Sequence, residues 1–190
     1  MIVFLDFEAS SLSKRSYPIE VAWVFEDGRS EVSLIKPAPQ WDDWDPASEA
    51  IHHISRAELL AQGRDHEMVA RTMLKALEGH DLRASAPSWD GKWLSTLFRA
   101  SGLPRHSLRL RGTDAARHEI ARSILSATWT DGALDREVEA LLERAATNEA
   151  TGAPAHRALA DARDEHRRWV AVRDAALDRL GSAPGGAYPS

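Results

Sequence analysis

The stretch Ile2-Val3-Phe4-Leu5-Asp6-Phe7-Glu8 constrains the fold of this chain more than any other. Its side chains are apolar at every position through Leu5. A strand here has both faces buried, like a central strand in a sheet covered on both sides. Asp6 and Glu8 then stand at positions i and i+2, which point to the same face of a strand. Two carboxylates side by side at the end of a buried strand repel each other and lose solvation. Two readings of this segment stay open. Either the strand has ended and both acids are solvated, or a divalent cation compensates them. Mg²⁺ and Mn²⁺ prefer such hard oxygen ligands.

Composition narrows the class. With 190 residues, 43% hydrophobic and 28% charged, the chain suits one ordinary globular domain. Residues 1–180 are expected to form it. Residues 181–190, rich in Gly, Pro, Ser and Ala, are expected to be a flexible tail. The absence of cysteine removes disulfides and thiolate metal sites together, so any metal must be held by oxygen or imidazole. It also fits a cytoplasmic setting. No apolar run is long enough to cross a bilayer. The N-terminal run stops at Asp6, which suits a strand rather than a signal peptide. A net charge of −5 gives no global attraction for nucleic acid and argues against a passive coat protein. It does not argue against an enzyme whose bound cations offset several acids in one place.

Patterning along the chain predicts strands over Met1–Phe7, Tyr17–Phe25 and Ser30–Ile35, the last two joined by a turn at Asp27-Gly28. Short connections make these an antiparallel meander. Short helices follow at Ala47–Ile51 and after Ser55, where Glu58 completes a capping box. Helices are predicted at Asp65–Leu77, Asp90–Ala100, Asp114–Ala127 and Leu134–Ala146, and a final one runs from Pro154 to about Leu180. Strands are predicted at Asp81–Ala86 and Ser107–Leu110. The order implies an α/β fold with a mixed sheet flanked by helices.

Two later elements add chemistry. In Ser88-Trp89-Asp90-Gly91-Lys92-Trp93-Leu94, Asp90 follows a strand and opens a helix. It reads as an ordinary first-turn acid, or as a carboxylate at the strand end where α/β sheets bind ligands. In His156-Arg157-Ala158-Leu159-Ala160-Asp161-Ala162, His156 and Asp161 are five apart and diverge on a regular helix. They converge only if His156 sits on the loop or first turn, which the break at Gly152-Ala153-Pro154 permits.

Taken together, Asp6-x-Glu8, Asp90 with Trp93-Leu94, and His156-x4-Asp161 resemble the three motifs of the DnaQ-like (DEDDh) 3'-5' exonuclease family. Ile51-His52-His53-Ile54-Ser55 is similar to a segment common between the first two. The resemblance covers residues 1–170 and departs from the family at Ala9-Ser10-Ser11, where Thr-Thr-Gly is frequent. It implies a ribonuclease H-like fold with a mixed five-stranded sheet: an antiparallel three-strand meander plus parallel strands. It further implies that Asp6, Glu8, Asp90 and Asp161 hold two divalent ions, Mg²⁺ or Mn²⁺, about 3.5–4 Å apart, with His156 as general base. The expected activity is 3'-5' hydrolysis of single-stranded DNA or RNA to nucleoside 5'-monophosphates. Leu12 and Ile54 are expected to wedge against terminal bases, and Trp93, Trp41 or Trp44 to stack on them, against the simpler reading that the tryptophans pack in core or loop. Arg105, His106, Arg109 and Arg111 form the densest basic stretch and suit either phosphate contacts or a solvated edge. The alternatives are a catalytically silent nucleic-acid-binding module on the same fold and a phosphodiesterase of short oligonucleotides.

Overall fold

The computed structural model describes residues 1–148 and 156–182. Strands β1 (Ile2–Ala9), β2 (Pro18–Phe25) and β3 (Ser30–Lys36) form the expected antiparallel meander. Helices α1 (Pro46–His52) and α2 (Arg56–Gln62) follow. Then come β4 (Arg64–Asp65), α3 (His66–Leu77), β5 (Asp81–Ala84), α4 (Pro87–Ala100) and β6 (Leu110–Gly112). The chain continues through α5 (Thr113–Leu125), α6 (Asp131–Asn148) and α7 (Ala158–Gly181).

The sheet is mixed and six-stranded, ordered β4-β3-β2-β1-β5-β6. β5 and β6 add to β1 in parallel, and β4 adds to β3 in parallel. The strand beyond the five expected is β4. Two residues are too few to show alternation, so Arg64 and Asp65 read as a turn and a helix start. Asp65 is in fact the α3 cap, its carboxylate accepting from the Glu67 and Met68 amides. Gly63 lets this edge close: a Cβ there would lie 2.4 Å from the Leu59 carbonyl oxygen and 2.7 Å from the Lys36 nitrogen.

The chain divides into two compact units, Met1–Gly112 with Ala153–His166 and Thr113–Gly152 with Arg167–Ser190. The first has its core on the sheet, from Val3, Leu5, Phe7, Ile19, Val21, Trp23 and Ile35 packed with Leu59, Met73, Leu94 and Phe98. β2 is buried from Pro18 to Val24, Glu20 included, as a strand covered on both faces must be. The second has a separate apolar cluster, with Leu125, Leu134, Val138, Leu141 and Val172 among its members. The expected tail at residues 181–190 lies beyond the described residues from 183 onward, as does the Gly152–Pro154 break. No helix among the described residues is long and apolar enough to cross a membrane.

Helix α4 begins earlier than the pattern suggested. Pro87 takes the first turn, where its missing N–H costs nothing. Asp90 is thereby carried into the turn, on the buried face with Trp93, Leu94 and Leu97, instead of capping the helix.

Candidate metal centre

Asp6 and Glu8 leave β1 on one face, paired across the sheet with Ala22 and Glu20 of β2. Asp161 enters from the first turn of α7. One carboxylate oxygen from each of Asp6, Glu8 and Asp161 lies within 4.8 Å of the other two. All three residues are half-buried. Asp90 is 1% exposed, and its Oδ2 has no hydrogen-bond partner among the described residues.

The electrostatics are those of an acid cluster short of positive charge. Burial pushes the Asp6 carboxyl well above its usual range, and the charges of Asp90, Glu8, Asp161 and Glu165 push it further. Burial, then Asp161 and Glu20, drive Glu8 up to about 8, with Arg157 opposing. Burial drives Asp90 up to about 7 against backbone hydrogen bonds involving Ala86, Phe7 and its own amide. Neither Asp6 nor Glu8 forms an ion pair among the described residues. Hard oxygen donors, no thiol in the chain and a partnerless buried oxygen on Asp90 together fit a hard divalent cation.

A second acid in the sheet is handled differently. Glu20 is 1% exposed and accepts from Arg157 Nε at 3.2 Å, Arg157 Nη2 at 2.7 Å and the Ala158 amide at 2.9 Å. The Arg157 contact is a two-pronged charge-assisted bond, and the Ala158 amide is the first of α7, where a carboxylate is favoured. Glu20 thus ties the start of α7 to β2, one strand from the acid pair. Sequence reasoning gave Glu20 no role. Its signal was a lone carboxylate in a wholly apolar strand.

His156 immediately precedes this tie. It lies two residues before α7 begins, so it is off the regular helix, with a left-handed backbone (φ 50°) and an exposed side chain. Neither His156 nor Asp90 belongs to the 4.8 Å trio.

The three expected substrate contacts separate. Leu12 is 69% exposed. Ile54 is fully buried and Trp93 nearly so, its Nε1 donating to Ser16 Oγ at 3.0 Å. Both are taken up by the core, so neither presents a face to a base. Trp41 is likewise buried, stacked on Tyr17 at 5.1 Å, and Trp44 donates to Glu49 at 2.7 Å. The exposed tryptophan is Trp89, beside Asp90, 5.6 Å from the Trp93 ring and with Lys92 Nζ 5.1 Å from its own centroid. Where the first motif departs from its usual form, Ser10, Ser11 and Ser13 donate to Asp43. Those bonds outweigh the burial that raises Asp43 and hold its carboxyl below the usual range.

No protein-family model matches the sequence. No curated protein matches it either. Solved structures do. A zinc-bound complex of Escherichia coli exonuclease I with single-stranded DNA superposes with a TM-score of 0.64 at 17% identity, over 95% of this chain and 41% of that one. Exonuclease I of the same organism with a dA16 oligonucleotide gives 0.63 at 17%, over 94% and 42%. With a dT13 oligonucleotide it gives 0.63 at 16%, over 95% and 42%. This chain spans about two-fifths of the length of these structures. The likeness establishes the fold, and the ribonuclease H-like architecture expected from the motifs is the observed one.

Proposed function

We propose that this chain is a metal-dependent 3'-5' exonuclease of the DEDDh type. The observation that carries the reading is the gathering of Asp6, Glu8 and Asp161 within 4.8 Å, with Asp90 near enough to raise the Asp6 carboxyl by charge. Asp6, Glu8, Asp90 and Asp161 would hold two divalent ions, Mg²⁺ or Mn²⁺. When bound, such ions supply an acidified water and offset the charge that develops on the phosphate.

The chain's own residues do the rest. His156 accepts the proton of the attacking water. Its exposed position outside the helix leaves the ring free to approach a bound phosphodiester. The Glu20–Arg157 tie limits the drift of that segment. Water adds its hydroxyl to phosphorus and the bond to the neighbouring 3' oxygen breaks. That oxygen takes a proton from solvent to become the new 3' hydroxyl, and a nucleoside 5'-monophosphate is released. Single-stranded DNA is the favoured substrate because the exonuclease I complexes named above contain it. Single-stranded RNA is the alternative, since nothing among the described contacts selects for or against a 2'-hydroxyl. Leu12 and Trp89 offer exposed apolar surface for terminal bases. A cytoplasmic setting, with residues 1–180 acting as one catalytic domain, completes the proposal.

The test is digestion of 5'-labelled single-stranded DNA and RNA of one sequence with Mg²⁺ or Mn²⁺, alongside an EDTA control. A ladder shortening from the 3' end, absent in EDTA, is expected. Strands left intact with both metals would refute the activity, and retained strand binding would then favour the silent module.

A further inference from the structure

Helix α4 borders a concentration of positive charge that the mechanism does not use. An open groove of about 540 Å³ runs between α4 and the segment 105–110, lined by Lys92, Arg105, His106 and Arg109 with Pro87 and Gly91. A second groove of about 370 Å³ is lined by Lys14, Lys92 and Arg99. Lys92 belongs to both, and no carboxylate lines either. In a chain with 29 acidic and 24 basic residues, that is local segregation of charge.

The pairing of the arginines sharpens the point. In the same unit Arg15, Arg29, Arg64, Arg71, Arg83 and Arg111 each pair with a carboxylate. The side chains of Arg99, Arg105 and Arg109 form no ion pair or hydrogen bond among the described residues. Arg105, His106 and Arg109 are exposed. Lys92 is held instead by neutral oxygens, donating to the Ser13 carbonyl and to Ser16 Oγ at 2.7 Å. Its ammonium is therefore fixed in place by neutral oxygens, with Asp43 the acid that acts on it through space.

We infer that these grooves form a phosphate track for the body of a single-stranded nucleic acid whose 3' end enters the acidic centre. The inference rests on the exonuclease reading for the identity and direction of the strand. Pro87 and Gly91 face the groove one helical turn apart, while Asp90 points inward from the same turn. The groove and Asp90 thus share the first turns of α4, and Leu94 belongs both to the groove lining and to the buried face that carries Asp90. Trp89 adds an exposed aromatic ring with Lys92 over it. Cations interleaved with an aromatic face suit a single strand, whose phosphates and bases need both, better than an acidic peptide, which needs only charge.

The test is binding without cleavage. Fluorescence anisotropy of a labelled dT20 strand in EDTA is measured against salt for the wild type, for Arg105→Ser with Arg109→Ser, and for Arg71→Ser with Lys75→Ser. The last pair removes equal charge from the exposed face of α3. Each lost phosphate contact lowers the slope of log K against log salt by about 0.7 on single strands, so the groove variant should lose about 1.4 and bind about 25-fold more weakly near 0.1 M salt. The α3 variant should match the wild type. Equal slopes for the groove variant and the wild type would overturn the track, as would competition by polyglutamate as strong as that by unlabelled dT20. A track confirmed in a protein that cuts nothing would refute the nuclease and leave this inference standing. A protein that cuts with an unchanged slope would do the reverse. Circular dichroism and melting check that both variants fold.

Discussion

Raising the pH of metal-free protein should destabilise it, and the Glu8 carboxyl sets the size of the effect. In the folded chain this group is pushed from its usual 4.5 up to about 8. Between those values the folded state keeps a proton that the unfolded state has released. Its contribution to stability is therefore complete below pH 4.5 and falls as pH rises toward 8. Integrated from pH 5 to 8, one such proton is worth about 3.5 kcal/mol. For a chain of this length that corresponds to a fall in Tm of about 7–14 °C. Asp90, raised to about 7, adds to the fall in the same direction over the lower part of the range. Glu8→Gln removes the Glu8 share, so the variant should show a shallower profile and should be the more stable protein at pH 8 in EDTA. A divalent ion competes with these protons. Saturating Mg²⁺ or Mn²⁺ at about 100 times its Kd should restore about 2.7 kcal/mol to the wild type at pH 8, and far less at pH 5. Calorimetric or fluorescence melts across pH 5–8, with EDTA and with each metal, measure all of this. A Glu8→Gln profile parallel to that of the wild type would refute the assignment of the strain to Glu8.

Other substitutions probe separate parts of the centre. Asp6→Ala should abolish hydrolysis while the metal-free protein at pH 8 melts no lower than the wild type, because it removes a ligand and a repelled charge together; residual metal-dependent cutting would exclude Asp6 as a ligand. His156→Ala should slow turnover by about 10²–10⁴-fold with metal binding by calorimetry unchanged, and loss of metal affinity would make the imidazole a ligand instead. Glu20→Gln keeps the shape but weakens the hold on Arg157 and Ala158; it should lower stability by about 1–3 kcal/mol and reduce kcat more than it alters KM, so an unchanged kcat would show that the tie does not position the His156 segment. Gly63→Ala drives a methyl into the Leu59 carbonyl and the Lys36 backbone; it should cost about 1–3 kcal/mol in a urea melt, and a neutral result would show that the β3–β4 edge opens readily.

The elements that sequence patterning found are those whose burial leaves a periodic trace. β1 and β2 are apolar on both faces because they sit inside the sheet. β3, nearer its edge, also alternates, but it buries Ser33 and Ile35 and leaves Val32 exposed, the opposite phase to its Val32 and Leu34 pattern. What pattern missed is what short length or a strong local signal hides. β4 has two residues and exists because Lys36 and Ile35 offer it a partner. β6 was expected over Ser107–Leu110 and forms at Leu110–Gly112, where register with Leu82, Arg83 and Ala84 decides the span rather than side-chain alternation. Nothing in composition marks Thr113 as the start of a second compact unit, because its helices carry the same mixture of apolar stripe and charged surface as α3 and α4.

Asp6 and Glu8 drew notice because they break a local rule, and Asp90 and Asp161 through the resemblance of their runs, whereas Glu20 breaks the rule without having been singled out. Asp6 and Glu8 end an apolar strand, and Asp161 sits in a recognisable run with His156. Glu20 breaks the same rule as strongly, a single carboxylate among Ile19, Val21 and Ala22, but the residue that answers it lies 137 positions away. No window along the chain contains both Glu20 and Arg157. Burial of a carboxylate demands positive charge or donated hydrogen bonds. At Glu20 the protein meets that demand itself, with a guanidinium and a helix amide. Among the described residues no ion pair does so at Asp6 and Glu8, and one Asp90 oxygen has no donor, while burial holds the Glu8 and Asp90 carboxyls well above their ordinary range. Who answers the charge thus separates Glu20 from the acids proposed as ligands. In this fold Asp6 and Glu8, which form no ion pair among the described residues, converge with Asp161, an arrangement that a divalent cation would complete.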